Sequence, residues 1–194
     1  MDAPTRSAAR ARKNNSPDMT LDEGALDKAR TQLEDGAVTP SIGEWSEPIV
    51  ALLNDALATE LVCILRYKRH HFTARGMASP AIAAEFMVHA IEETAHADKI
   101  AERIVQLGGE PDFSPETLSE RSHAEYVPAK TLPDMIRENL VAERIAIDSY
   151  RDMVRYLGDQ DPTTSDLLKQ ILAVEEEHAD ELADLLEGMP AHEG

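Results

Sequence analysis

Two six-residue stretches, ETAHAD at 93–98 and EEEHAD at 175–180, govern the interpretation of this chain. In each, a glutamate precedes a histidine by three positions, so both side chains share one face if the segment is helical. The surrounding sequence favours helices. Four long stretches, 49–79, 81–110, 134–161 and 163–189, contain no proline and carry glycine only near their ends, as helix interiors require.

The apolar pattern inside these stretches also predicts helices with one buried face. Between residues 53 and 64, leucine or isoleucine recurs every three or four positions, and no alternating run indicates a strand. Polar residues followed by proline predict capped helix starts at Ser46 or Glu47, at Ser79 and at Asp161. Two glycines predict left-handed caps at helix ends, Gly108 and Gly188.

The links between the four stretches predict their arrangement. Those at 76–79 and 158–161 are short, so each pair of helices forms an antiparallel hairpin. The link from 109 to 131 has about 22 residues, long enough to cross the bundle, and residues 115–121 within it can form a short helix. We therefore expect an all-α four-helix bundle with a long crossover between the second and third helices.

The two hairpins repeat one pattern of acidic and aromatic residues. Glu60 and Glu143 each lie seven residues before a tyrosine, Tyr67 or Tyr150, among matching aliphatic residues. The midpoint between residues 60 and 93 falls at Gly76, and that between 143 and 175 falls beside Gly158. Since residues equidistant from a hairpin turn lie at one height, each of these glutamates should face a Glu-x-x-His motif.

Packing the hairpins together then brings four carboxylates and two imidazoles to one level of the bundle. Buried carboxylates without compensation are unstable or take up protons, whereas two cations offset their charge. Oxygen and nitrogen donors suit iron, manganese or zinc, with two carboxylates bridging, two capping and one histidine per metal. The candidate metal ligands and catalytic residues are Glu60, Glu93, His96, Glu143, Glu175 and His178.

Other side chains near these positions have two interpretations each. Tyr67 and Tyr150 either hydrogen-bond a ligand carboxylate or donate an electron, or they are core tyrosines. Cys63, His71 and His89 lie on the same helices, and we interpret them as structural, with guiding or storing extra iron as the alternative for the two histidines.

Composition limits the function classes. The 194 residues include 19 Lys and Arg against 37 Asp and Glu, a net charge of −18, which disfavours a main surface for nucleic acid or anionic membranes. One cysteine fits a reducing cytoplasm, and no apolar run predicts a membrane span. We expect a disordered basic arm at 1–17, an extension at 18–46 with a short helix, the bundle at 47–188 and a short tail at 189–194.

The order Glu, Glu-x-x-His, Glu, Glu-x-x-His resembles the ferritin-like superfamily, and the stretch HADKIAERIVQLGGEPD at 96–112 is most similar to bacterioferritin. This resemblance implies a ferroxidase that oxidises Fe(II) with O2 or peroxide and stores ferric mineral in an oligomeric shell. It implies two irons per subunit, with manganese or zinc as substitutes, terminal ligands Glu60 and Glu143, and bridges Glu93 and Glu175. Tyr67 matches a family tyrosine near the site.

Some features depart from bacterioferritin. Thr94 stands where haem-binding members have methionine, so haem is not expected. Only six residues follow Gly188, so we expect no fifth helix of the kind found in 24-subunit shells. The basic arm resembles that of Dps-like proteins, which form 12-subunit shells. The sequence therefore does not decide between 12 and 24 subunits. Two alternatives remain: a di-metal peroxidase or catalase, and a DNA-protecting protein whose arm contacts phosphates, the latter less favoured because residues 18–194 carry −21.

Overall fold

The computed structural model describes residues 21–34, 36–39 and 41–189. The predicted basic arm at 1–17 and residues 190–194 of the predicted tail lie outside the described residues. All regular secondary structure in the described part is helical, which confirms the all-α prediction. The elements are α1 (Glu23–Ala29), a 3-10 turn (Gly43–Trp45), α2 (Ser46–Thr73), α3 (Ser79–Gln106), α4 (Leu118–Arg121), α5 (Leu132–Leu157) and α6 (Pro162–Glu187).

The bundle consists of two antiparallel hairpins, α2 with α3 and α5 with α6, as the short links predict. The hairpins meet through α2 with α5 and α3 with α6. Two apolar clusters fill the bundle: one contains Leu53, Ile104 and Leu157, and the other contains Phe86 and Leu182. Each large apolar side chain so buried stabilises the fold by about 1.5–3 kcal/mol. Along each long helix the candidate ligands lie between residues of the two clusters, as Glu93 does between Ala90 and Ala97.

Some of the helix caps predicted from the sequence are present in the structure and others are not. Asp161 caps α6 and accepts a hydrogen bond from the Thr164 amide at 3.0 Å, and Gly108 is left-handed with φ of +78°. The prediction for Gly188 is wrong, because its φ of −71° continues the right-handed turn and its amide bonds to the Asp184 carbonyl.

Two predicted caps are also wrong. Ser46 and Ser79 lie inside the first turn of α2 and α3, and neither helix has a side-chain cap. Their hydroxyls instead donate to the preceding carbonyls of Gly43 and Gly76, at 3.0 and 2.7 Å. Thr131, which the sequence analysis did not single out, caps α5 by accepting from the Asp134 amide.

The crossover follows α2 along the bundle, and polar side chains of α2 fasten it. Asn54 Oδ1 accepts from the Asp112 amide at 2.8 Å, and Thr59 Oγ1 accepts from the His123 amide at 3.0 Å. Further along, Arg66 Nη1 donates to the Glu125 carbonyl at 2.8 Å. The short helix α4 lies within the predicted 115–121, and α1 lies within the extension.

Helix α2 is apolar enough by length and composition to cross a bilayer, with a window of mean hydropathy 1.8. The sequence contains no uninterrupted apolar run of membrane-spanning length, because Asn54, Asp55 and Glu60 interrupt this segment, but its averaged hydropathy reaches the value of a span. In the structure, 56% of that window is buried, and the helix contains Glu60 and Arg66, each 1% exposed. Its apolar character is used inside the bundle, where it packs against α3 and α5.

Candidate metal centre

All six candidate ligands converge in the middle of the bundle, and each is at most 3% exposed. Helices α2 and α5 contribute one glutamate each, whereas α3 and α6 contribute the two Glu-x-x-His motifs. The ligand atoms form two groups, each within 4.8 Å, that share Glu93 and Glu175. The first group adds Glu60 and His96, and the second adds Glu143 and His178.

The distances within these groups suit coordination of a cation. His96 Nδ1 lies 3.0 Å from Glu175 Oε1 and 3.5 Å from both Glu60 Oε2 and Glu93 Oε2. His178 Nδ1 lies 3.7 Å from Glu93 Oε1 and 3.6 Å from Glu175 Oε2. Two donors that each lie about 2.0–2.2 Å from one ion are about 3.0–3.5 Å apart at ordinary coordination angles.

Buried polar atoms without hydrogen-bond partners provide the strongest sign of a cation-binding site. Within the described residues, seven buried atoms of this cluster have no hydrogen-bond partner: Glu60 Oε2, Glu93 Oε1, His96 Nδ1, Glu143 Oε2, both Glu175 oxygens and His178 Nδ1. Leaving a buried polar group unpaired costs about 1–3 kcal/mol, more for a charged one. Because these atoms face one another, two cations would satisfy them together, and the residues fit such ions.

The electrostatics of the cluster have the same cause. Burial, together with Glu93, raises the pKa of Glu60 to about 8, and burial raises the pKa of Glu143 well above its usual range. Burial alone would lower the pKa of His96, but contacts with Glu175 and Glu60 raise it to about 12. Without cations the cluster therefore retains protons, which metal ions would displace on binding.

The two tyrosines hold Glu143 and Glu60, each across the hairpin boundary. The Tyr67 hydroxyl of α2 donates to Glu143 Oε1 of α5, and the Tyr150 hydroxyl of α5 donates to Glu60 Oε1 of α2. Both tyrosines are at most 2% exposed. Since one oxygen of each glutamate is held by a tyrosine, the other oxygen is directed into the cluster and remains available to a cation.

Glu92 adds a contact that the sequence analysis missed. Its Oε2 lies 2.8 Å from His178 Nε2, so this nitrogen donates its hydrogen to Glu92 and Nδ1 is the nitrogen that a metal would bind after displacing its proton. Among the described residues, His96 has no equivalent carboxylate partner on Nε2. The available signal was the position of Glu92 next to Glu93, but an acid at the edge of a helix face looks like a solvated residue.

The remaining side chains of interest differ in their location. His89 is fully buried and its ring stacks on His178 with centroids 4.0 Å apart. His71 lies away from the cluster, with Nδ1 2.6 Å from the Ala83 carbonyl. Cys63 is buried, which raises the pKa of its thiol and disfavours the reactive thiolate.

Four carboxylates and two histidines arranged in this way inside a four-helix bundle are the ligand set typical of dinuclear carboxylate proteins. The chain belongs to the ferritin-like family, since the sequence model described as a ferritin-like domain matches residues 50–191.

Individual relatives agree with this assignment. The bacterioferritin of Desulfovibrio desulfuricans is 30% identical over 131 residues, covering 67% of this chain and 69% of its own length. The DNA protection during starvation protein of Pyrococcus furiosus is 29% identical and covers 75% and 80%. Among solved structures, the dodecameric thioferritin of Bacteroides fragilis, a bacterioferritin-related protein, is 33% identical with a TM-score of 0.71 and covers 73% and 86%.

Proposed function

We propose that this protein is a ferroxidase and iron-storage protein, with Fe(II) bound and oxidised inside each subunit. The observation that supports this proposal most directly is the set of unsatisfied carboxylate and imidazole atoms that converge in two groups sharing Glu93 and Glu175. Ligands of this kind suit hard to intermediate cations such as Fe(II), with Mn(II) or Zn(II) as substitutes. The ferritin-like relatives named bacterioferritin support iron as the physiological metal.

Fe(II) is the substrate in this proposal, and the chain supplies the binding site. Two Fe(II) ions, one O2 and two protons give two Fe(III) ions and one hydrogen peroxide; with peroxide as oxidant the products are two Fe(III) ions and two waters. Glu93 and Glu175 hold both ions near each other, and Glu60 and Glu143 cap them. The apolar clusters on either side limit water, and the tyrosine hydroxyls keep the capping carboxylates in place.

Storage of the ferric product requires an enclosed volume, which one subunit does not provide. The proposal therefore extends to assembly of the subunits into a homo-oligomeric shell of 12 or 24 copies, located in a reducing cytoplasm. The dodecameric relative from Bacteroides fragilis supports the smaller shell. Sedimentation and mass measurement of the full chain distinguish the two sizes.

The direct test measures anaerobic Fe(II) binding and then Fe(II) oxidation for the native protein and two variants. We expect the dinuclear centre to bind about two ions per chain tightly and the native protein to oxidise Fe(II) rapidly. Glu93→Ala should lose both, since Glu93 belongs to both ligand groups, whereas Glu177→Gln, an exposed acid on α6, should retain both. Native-like oxidation by Glu93→Ala would place the chemistry elsewhere.

Two other functions make different predictions. A di-metal catalase should release O2 from peroxide faster than it consumes O2 with Fe(II), and this comparison needs only an oxygen electrode.

Similarity to the DNA protection protein of Pyrococcus furiosus supports DNA coating through the basic arm. Deletion of residues 1–17 should then abolish salt-sensitive DNA retardation, and unchanged retardation would exclude the arm as the contact.

A further inference from the structure

A second set of metal-ligating groups lies between α3 and α6, outside the dinuclear centre. Glu85, His89 and Glu181 offer ligand atoms that lie within 4.8 Å of one another. His89 Nε2 is 2.9 Å from Glu181 Oε2 and 3.7 Å from Glu85 Oε1, separations comparable to those between ligands in the dinuclear centre. The side chains of Glu85 and Glu181 are 37% and 44% exposed, so an ion reaches them from solvent, while His89 closes the inner side.

The two ring nitrogens of His89 face different groups: Nε2 faces Glu181 and Glu85, and Nδ1 faces the Tyr67 hydroxyl. The single hydroxyl hydrogen of Tyr67 is donated to Glu143, and His89 Nδ1 lies 3.1 Å from the same hydroxyl oxygen. In the tautomer in which Nδ1 donates to Tyr67, Nε2 presents a lone pair toward Glu181 Oε2 and Glu85 Oε1. A cation bound between these three ligand atoms would then replace the contact between Nε2 and Glu181.

The internal repeat provides a comparison within the same chain. A shift of 82 residues superimposes Glu93 on Glu175 and His96 on His178. The same shift gives apolar or basic counterparts for the outer groups: Leu167 for Glu85, Ile171 for His89 and Lys99 for Glu181. Building the dinuclear centre therefore does not require ligating groups at these positions, since the other half has none there.

The outer cluster adjoins only one of the two metal positions. The ring of His89 stacks on that of His178, with centroids 4.0 Å apart and an interplanar angle of 18°. The Tyr67 hydroxyl contacts both His89 and Glu143. The two candidate ligands that His89 reaches, His178 by stacking and Glu143 through Tyr67, therefore both belong to the second ligand group. We propose that Glu85, His89 and Glu181 form a third divalent-cation site, which holds Fe(II) before it enters the Glu143–His178 position. The loading role rests on the proposed function, whereas the site itself does not.

The test is an anaerobic titration of the full-length protein with Co(II), a redox-inert substitute, followed by visible absorption and metal analysis after dialysis at low free Co(II). The native protein should retain about three ions per chain. The double variant Glu85→Gln/Glu181→Gln should retain one fewer. The matched control is Glu102→Gln/Glu177→Gln, which removes the same charge from exposed positions of the same helices and should retain as many ions as the native protein.

Glu175→Gln separates this inference from the proposed function. It should lose ions of the dinuclear centre and keep the outer one, because Glu175 is not part of the outer cluster. Equal retention by the native protein and Glu85→Gln/Glu181→Gln would overturn the third site and leave the dinuclear centre intact. Full retention by Glu175→Gln would instead contradict the dinuclear centre. If the role in loading holds, Glu85→Gln/Glu181→Gln oxidises Fe(II) more slowly at subsaturating Fe(II) and normally at saturation; a normal rate at both concentrations would overturn that role.

Discussion

Glu175 is the residue whose neutralisation should change metal binding strongly and the metal-free fold only slightly. It belongs to both ligand groups, and both of its oxygens lack hydrogen-bond partners among the described residues. Glutamine has nearly the same shape. In the metal-free protein, Glu175→Gln relieves repulsion with Glu93 and Glu143 and weakens attraction to His96, so we expect a net stability change within about 1 kcal/mol.

The effect on metal-linked stability should be much larger. An ion present at 100 times its dissociation constant stabilises the folded protein by about 2.7 kcal/mol, so two ions contribute about 5 kcal/mol. For a chain of this size, 1 kcal/mol corresponds to about 2–4 °C in Tm, which gives a rise of about 10–20 °C for the native protein. Glu175→Gln should show less than half of this rise.

Differential scanning calorimetry with and without Co(II) measures both quantities, and Glu177→Gln serves as the control, with a native rise. Two results would refute the reasoning. One is a Co(II)-dependent rise in Glu175→Gln equal to that of the native protein. The other is a loss of more than about 3 kcal/mol in the metal-free variant, which would mean that Glu175 stabilises the fold by itself.

Three further predictions concern pH, an ion pair and haem. Burial and Arg66 lower the pKa of His70 to about 4. The contribution of neutral His70 to stability is therefore present above pH 6.5 and is lost as pH falls through 4, by up to about 3 kcal/mol. His70→Gln should flatten the pH dependence of the free energy of unfolding in urea over this range, and an unchanged pH dependence would contradict the prediction. Asp161→Asn breaks the buried pair with Arg103, whose Nη2 lies 2.8 Å from Asp161 Oδ2, and should cost about 3–5 kcal/mol in urea denaturation, whereas a cost under about 1 kcal/mol would show that the pair is dispensable. Because Thr94 stands where the resemblance to haem-binding bacterioferritins implies a methionine, purified protein should show no Soret band after incubation with haem, and a stoichiometric band would disprove this.

Much of the fold was predictable because its signals are local or periodic. Proline and glycine positions delimit the four long helices, and the nearly equal distances of Glu60 and Glu93 from Gly76 predict that they meet across one hairpin. The helix caps were less predictable, since Ser46 and Ser79 satisfy the same sequence rule as Asp161. Whether such a side chain caps depends on where the preceding turn directs the chain, which is a tertiary property.

The outer parts of the site were harder to predict for another reason. Glu92 and Glu181 are acids on helices rich in acids, and their significance comes from their distance to His178 and His89. Those distances depend on how α3 packs against α6, and no spacing within one helix reports them. His89 was recognisable as one turn before Glu93, but its stacking partner lies 89 residues away in the chain.

The reciprocal tyrosine contacts mean that neither near-copy in this chain is self-sufficient. Glu60 of the first hairpin is oriented by a hydrogen bond from Tyr150 of the second, and Glu143 of the second hairpin is oriented by a hydrogen bond from Tyr67 of the first. Each ligand group likewise takes one glutamate from the opposite hairpin. A protein cleaved within the crossover would thus yield two fragments that must associate before either binds a metal ion tightly. The bound ions would in turn stabilise the association of the two fragments.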